Sequence, residues 1–277
     1  AAFATTLLSG ALGLAAEPAY LSPTALAAAA DGRILYVACA TAGQVAVFDT
    51  TTRRITRTIP VPDSPVGLAL APDGKRLYVT CTAPESTVCV VDTSKAEVVA
   101  KIPAGHTTVA VVLSPDSKTL FVCNRFNNEV AFIDLASLKT VLRVKVPREP
   151  VAAAITPDGK FLFVANHLHA GRSDVDVVAA SVSVIAVAEG KVCREIALPN
   201  GSTLVREVRV SPDGRHAVVA HQLSRFHLPT TQLERGWVNT SAASLMDVAG
   251  LKLINTVLLD NIDAGAANPW AVAWSAD

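Results

Sequence analysis

The feature that most constrains this chain is a repeat. Five Asp-Gly or Asp-Ser dipeptides each lead into a short apolar run: Asp31 into ILYVAC, Asp73 into RLYVTC, Asp116 into TLFVCN, Asp158 into FLFVAN and Asp213 into AVVAH. Asp277 follows AVAWSA and starts a sixth copy, so the spacings are 42, 43, 42, 55 and 64 residues. Eight positions before the Asp stands a proline (Pro23, Pro65, Pro150, Pro269), with Thr108 and Val205 as exceptions. A second Asp closes another apolar run further on (Asp49, Asp92, Asp134, Asp247), with Ala186 in the fourth copy. Self-similarity at such a period is the mark of a repeat architecture.

Within one copy the pattern reads as four short strands. In residues 65–106, PVGLALAP is a strand and APDGK a turn, followed by RLYVTC, TVCVVDT and EVVAKIP as three further strands. Pro and Gly fall where a turn needs them, and no helical apolar period survives over ten residues of the repeat. Four strands per unit of about 42 residues predict an all-β chain, a β-propeller of four-stranded antiparallel blades. Five full blades and the start of a sixth are expected here, with seven in the complete protein, because five blades and one strand leave unpaired edges. A β-sandwich is the alternative, and the fixed period argues against it.

The strings DGRILYVAC, PDGKRLYVTC, SPDSKTLFVCN and TPDGKFLFVAN, each followed by an apolar run ending V-D-T or I-D-L, resemble the YVTN β-propeller repeats of surface-layer and periplasmic proteins. The resemblance covers residues 20–277 and implies a fold more than a function, since such propellers serve many roles. The last position of the motif drifts from Cys39 and Cys81 to Asn124, Asn166 and His221. The segment HLPTTQLERGWVNT, with the later LLDNIDAGAANPW, is similar to one in propellers fused to a di-haem cytochrome c peroxidase-type domain. That likeness implies a c-type haem in a domain beyond Asp277. No C-x-x-C-H occurs in the chain itself, so no such haem is attached within it.

Composition fits a large apolar core, with 51% hydrophobic and 17% charged residues. Zero net charge and the lack of any Lys or Arg run argue against nucleic acid as the partner. Residues 1–16, AAFATTLLSGALGLAA, carry no charge and end in small residues before Glu17. They read as the remnant of a secretory signal peptide, with residues 17–277 as the propeller, and so predict a periplasmic or cell-surface protein. An apolar first strand is the other reading of that stretch. No other segment is long and apolar enough to span a membrane. Of the five cysteines, Cys39, Cys81, Cys89, Cys123 and Cys193, the pair Cys81 and Cys89 lies diagonally across a hairpin. Buried free thiols are expected in preference to a bridge.

The spacing irregularities locate a candidate site. From turn Asp to third-strand end takes 18, 19 and 18 residues in the first three copies, then 28 and 34. From there to the next turn Asp takes 24 three times, then 27 and 30. All extra residues therefore enter the connection between second and third strands or the one between blades. In an up-and-down blade these share one edge, so every insertion rises from one face, where binding residues gather. The fourth blade contributes His167, His169 and Arg172 to that face, and the fifth His221, Arg225, His227, Glu234, Arg235 and Trp237. The blade-to-blade connections add Arg206, Glu207, Asn268 and Trp270.

Tryptophan and arginine are the residue types that anchor interfaces, so a docking face for a protein, a domain or a small ligand is the leading reading. The redox reading, in which this is the non-haem part of a periplasmic cytochrome or peroxidase-like protein, comes second. A metal site of convergent imidazoles, or a lactonase-like site of His, Glu and Arg, comes third. H-x-H in a loop is a common accident and no Ser or Cys nucleophile motif accompanies it, so no catalytic or metal-ligating residue is assigned. The bland alternative is that these side chains satisfy loop carbonyls and one another.

Overall fold

Each repeat's first Asp builds a turn in the same way. In a computed structural model of the protein, which describes residues 20–224, 238–260 and 268–275, the Oδ1 atoms of Asp31, Asp73, Asp116, Asp158 and Asp213 accept the backbone N–H two residues on, at 2.9–3.1 Å. The residue after the Asp is left-handed in all five turns: Gly32, Gly74, Gly159 and Gly214 at φ 69° to 73°, and Ser117 at φ 58°. Glycine is favoured there because it lacks the β-carbon that crowds this conformation. The second Asp of the repeat caps a second turn, as where Asp49 accepts the N–H groups of Thr51 and Thr52 at 2.8 Å. The two periodic acids thus punctuate alternate hairpins of one four-stranded unit.

Five such units follow one another. The first blade is β1 (Pro23–Ala28), β2 (Ile34–Cys39), β3 (Gln44–Asp49) and β4 (Arg54–Pro60). The second is β5 (Ser64–Leu70), β6 (Arg76–Thr82), β7 (Thr87–Asp92) and β8 (Glu97–Pro103). The third is β9 (Thr108–Leu113), β10 (Thr119–Asn124), β11 (Glu129–Asp134) and β12 (Lys139–Lys145). The fourth is β13 (Pro150–Ile155), β14 (Phe161–Asn166), β15 (Ser181–Ala186) and β16 (Lys191–Ala197). The fifth is β17 (Ser202–Val210), β18 (His216–Ser224), β19 (Asn239–Asp247) and β20 (Lys252–Leu258). Every sheet is antiparallel, with its strands paired in chain order. This is the β-propeller arrangement that the repeat predicts. Residues 268–275 form no strand of their own and lie against β17, where the Trp274 indole donates to the Arg209 carbonyl at 3.2 Å. Residues 1–16, read above as a signal-peptide remnant, lie outside the described residues.

The first strands of successive blades pack side by side, whereas the last strands scarcely touch. First strands are therefore innermost, and small residues there answer to crowding. A β-carbon on Gly67 would overlap the Val109 carbonyl oxygen and the Thr80 hydroxyl. Pro23 and Pro150 begin an innermost strand and Pro65 is the second residue of one, each at a register shift, a place where a strand tolerates proline.

The core lies between blades rather than within them. Ile59 of the first blade packs with Leu77, Val79 and Cys81 of the second, and Ile102 with Leu120, Val122 and Ile133 of the third. Val144 packs with Leu162 and Val164 of the fourth, and Ile196 with Ala217, Val219 and Met246 of the fifth. Four apolar layers thus join five sheets.

All five cysteines are free, and four are buried as expected. The Cys81 and Cys89 sulfurs lie 3.7 Å apart. Hydrogen bonding to Cys89 and burial push the Cys81 thiol up, while the Cys81 partner pulls Cys89 down. Cys193 departs from the expectation of burial: it sits in β16, the outermost strand of its blade, and is exposed.

Two outcomes follow from this packing. Gly67→Ala is expected to destabilise the fold by about 1–3 kcal/mol, because the backbone of β9 must shift to admit one methyl group; a denaturant titration measures it. A thiol reagent applied to the native protein is expected to modify one cysteine, Cys193, and after unfolding all five. Modification of only three after unfolding would instead reveal a Cys81–Cys89 bridge.

Candidate functional site

Backbone hydrogen bonds stitch the second-to-third-strand connections to the blade-to-blade connections along a single edge. Val61 N–H donates to the Gly43 carbonyl, Arg125 N–H to Thr107, His167 N–H to Glu149 and Ser224 N–H to Gly201. The insertion of the fourth blade, residues 167–180, lies on this edge and is ordered by its own polar contacts. Asn200 clamps it, accepting from Val178 N–H at 2.9 Å and donating to the Asp176 carbonyl at 3.0 Å. His169 spans it, with Nδ1 at 2.9 Å from the Ala179 carbonyl and Nε2 at 3.0 Å from the Arg172 carbonyl. The Arg148 guanidinium donates to the His169 carbonyl at 3.1 Å. Arg172 itself is exposed and pairs with Asp174 through two hydrogen bonds.

His167 and His221 lie elsewhere than the loop surface expected of them. His167 is buried, with Nδ1 at 2.8 Å from the Val205 carbonyl. His221 is wholly buried, with Nε2 at 2.8 Å from the Ser244 hydroxyl. The reason for His221 is its place in the repeat, eight residues after the turn Asp, where Cys39, Cys81, Asn124 and Asn166 are also buried; in the nine-residue strands of the fifth blade it pairs opposite Ala242 inside the sheet. His221 occupies the position of the buried Asn124 and Asn166 in earlier blades, a polar plug at the junction with the preceding blade. Asn124 there accepts from Gly105 N–H at 3.1 Å and the Thr108 hydroxyl at 2.8 Å, and donates to Glu129 at 3.1 Å.

The structure does bring Arg206, Asn268 and Trp270 together. The Arg206 guanidinium stacks over the Trp270 ring at 4.6 Å, and Asn268 accepts a hydrogen bond from the Gln222 amide. Trp270 is 66% exposed. Glu207 lies one residue along β17, with Arg209 at 3.5 Å, and burial raises its carboxyl above the usual range. Arg225, His227, Glu234, Arg235 and Trp237 lie outside the described residues.

A second guanidinium–aromatic pair escapes a search based on insertion length. Between β10 and β11 a single 3-10 turn, Arg125–Asn127, presents Phe126 with half of its surface exposed. Arg125 stacks on that ring at 5.2 Å and His106 meets its edge at 5.3 Å. Arg125 is anchored by two hydrogen bonds to Glu149, at 2.8 and 3.0 Å. This connection is no longer than its counterparts, so only the Arg-Phe dipeptide itself signalled it. Below it Glu129 is buried among Arg143 at 2.6 Å and Lys145 at 3.0 Å. Burial alone would raise that carboxyl; Lys145, Arg143 and Asn124 outweigh it and hold it below the usual range.

The imidazoles of His167, His169 and His221 each face backbone or hydroxyl oxygens, and His167 and His169 follow the end of β14. Among the described residues no three His, Cys, Asp or Glu side chains converge as a metal site would require. Also among them, no helix is long and apolar enough to cross a membrane.

No family model matches the chain. Hydrazine synthase subunit beta of Kuenenia stuttgartiensis is 28% identical over 99 residues, which span 36% of this chain and 25% of that protein. This match therefore covers a quarter of the curated relative's length. Among solved structures, Kuenenia stuttgartiensis hydrazine synthase superposes with a TM-score of 0.82 at 27% identity, over 94% of this chain and 72% of that one.

The buried histidines make stability pH-dependent with a definite sign. Burial lowers both: at His167 the Val205 carbonyl opposes it while Arg125 and Arg206 reinforce it, and at His221 the Gln222 carbonyl opposes it. Well above the ordinary imidazole value of about 6.5 neither imidazole is protonated in either state, and no stability is lost. As pH falls below that, the unfolded chain takes up protons that the folded chain refuses, and the melting temperature is expected to drop. Replacing both residues by Asn is expected to flatten the decline between about pH 6.5 and pH 5, as followed by calorimetry. Glu129 adds a further loss below about pH 4.5, where its folded carboxylate resists protonation.

Proposed function

We propose that this propeller is a rigid scaffold that docks another subunit or domain through its loop-rich face. The observation that carries the reading is the pair of exposed aromatic residues on that edge, Phe126 and Trp270, each with a guanidinium stacked against it. Arginine held over an aromatic ring presents a flat, pre-ordered surface with both apolar area and unused donors, the chemistry that dominates interface energetics. Glu149 holds Arg125 and β17 carries Arg206, so part of the side-chain freedom is lost before association. The likeness to hydrazine synthase supports the reading, because the named relative is itself a subunit and so belongs to an assembly.

In the same proposal the assembly is a redox complex, with this chain as a part that carries no haem. The name of the relative supports this, and the YVTN-like repeat strings add the expectation of an exported, periplasmic protein. The segment similar to that of peroxidase-fused propellers, HLPTTQLERGWVNT, falls largely outside the described residues and supplies the remaining candidate contacts, Arg235 and Trp237 among them. A metal- or lactone-processing centre is the weaker reading, since the described imidazoles are each engaged with protein oxygens.

The test starts with the protein purified from its source under mild conditions, with mass and visible spectrum recorded together. Co-purification with a second, Soret-absorbing polypeptide is expected. Phe126→Ala and Trp270→Ala are each expected to weaken that association by about 10- to 100-fold, whereas Arg215→Ala, on the opposite face, leaves it unchanged. A monomeric, colourless protein, or loss of binding with Arg215→Ala alone, would sink the proposal.

A further inference from the structure

We infer that the partner docked on this edge presents a cluster of carboxylates to the third blade, so that charge steers the two together. The inference rests on the docking reading and deepens it by naming the partner's chemistry. Four cations gather where the third blade meets the loop-rich edge: Arg125 in the 3-10 turn after β10, Arg143 and Lys145 near the end of β12, and Arg148 in the connection to β13. Two carboxylates answer them. Glu149 lies 2.8 Å from Arg125 and 3.6 Å from Arg148, and Glu129 lies 2.6 Å from Arg143 and 3.0 Å from Lys145. Two positive charges are therefore left over, in a chain whose formal net charge is zero.

Depth separates the two signs. The Glu129 and Glu149 side chains are 7% and 14% exposed, whereas the four cations are 31% to 73% exposed. An approaching molecule meets the cations, and the carboxylates that balance half of their charge lie out of its reach. The cations also keep donors to spare. Arg125 spends Nε and Nη2 on Glu149, Arg148 spends Nη1 on the His169 carbonyl, and Lys145 spends two of its three N–H groups on Glu129 and the Asn127 carbonyl. Ionised oxygen is the acceptor that binds such donors most strongly.

Elsewhere the described connections of this edge carry no surplus of cations. Those after β4 and β6 hold Asp63 and Glu85 and no Lys or Arg, and the insertion at 167–180 sets Arg172 against Asp174 and Asp176. Phe126 stands within the cationic patch, half-exposed, with Arg125 over its ring and His106 at its edge. The matching surface is an apolar side chain flanked by Asp or Glu, which covers Phe126 and brings an anion to the spare donors. A local surplus of two suits such a protein segment. Nucleic acid needs a track of cations matched to its phosphates, which this neutral chain lacks.

Charge at the margin of an interface acts chiefly on the rate of association, whereas a covered apolar contact acts on the rate of dissociation. To test this, the polypeptide that co-purifies with the protein is separated from it and recombined, with both rates followed by stopped-flow. Association is expected to slow at least about 10-fold between about 50 mM and about 500 mM sodium chloride. Arg148→Gln combined with Lys145→Gln is expected to slow it about 3- to 10-fold at the lower salt and to flatten the salt dependence, with dissociation unchanged. Lys75→Gln combined with Lys118→Gln, on the turn edge, is expected to alter association by less than about twofold. Phe126→Ala is expected to speed dissociation instead. Association that is independent of salt, or faster in salt, overturns the inference; if Phe126→Ala still weakens the complex, the docking reading stands without it. No association under any condition sinks both. A partner that proves to be a second copy of this chain, or a complex dispersed by nuclease, overturns the inference as well. Should a variant fail to fold, the salt dependence of the unmodified protein decides.

Discussion

A blade of this protein is apolar on both faces, and no single blade can bury either one. This constraint sets the rest. The sheets stack because the Ile59, Ile102, Val144 and Ile196 side chains each find their partners in the following blade. Stability is then a property of neighbouring pairs, as in other repeat architectures. It also explains a scarcity of aromatics in so large a core: thin layers between inclined sheets are filled by Val, Ile, Leu and Ala. Near the axis, space is shorter still, and Gly67 sits where even one methyl group would strike the backbone of the next blade.

Function has only the edges left to it. Faces are spent on stacking, and the turns made by Asp31, Asp73 and their equivalents are held to a fixed geometry by Asx hydrogen bonds and a left-handed residue. The opposite edge carries no such restriction, and that is where the chain lengthens. The insertion at 167–180 keeps its form through His169 and Asn200, which satisfy backbone groups that no strand partner reaches. Arginines stacked on Trp270 and Phe126 then give this edge a chemical character that the turn edge lacks.

The sequence reading reached the fold through residues whose role is local. An Asp followed by Gly makes a turn wherever it stands, and a period of about 42 residues with four apolar runs leaves few architectures. The same local logic located the lengthened connections from residue counts alone. It failed where burial decides. His221 and His167 look like loop histidines beside the end of an apolar run, yet both are interior, one because it takes the position where Cys81, Asn124 and Asn166 are buried and the other because Val205 closes over it. It also passed over Phe126 and Arg125, whose connection has ordinary length.

Strand order, turn position and the edge that carries the insertions were therefore determined by sequence alone, since each depends on spacing along the chain and on the preferences of single residues. The tertiary structure decided which side chains that edge presents. Arg206 meets Trp270 across 64 residues of chain, and Glu149 anchors Arg125 across 24. Such contacts are fixed by how one blade leans on the next, a distance in space that no periodicity records.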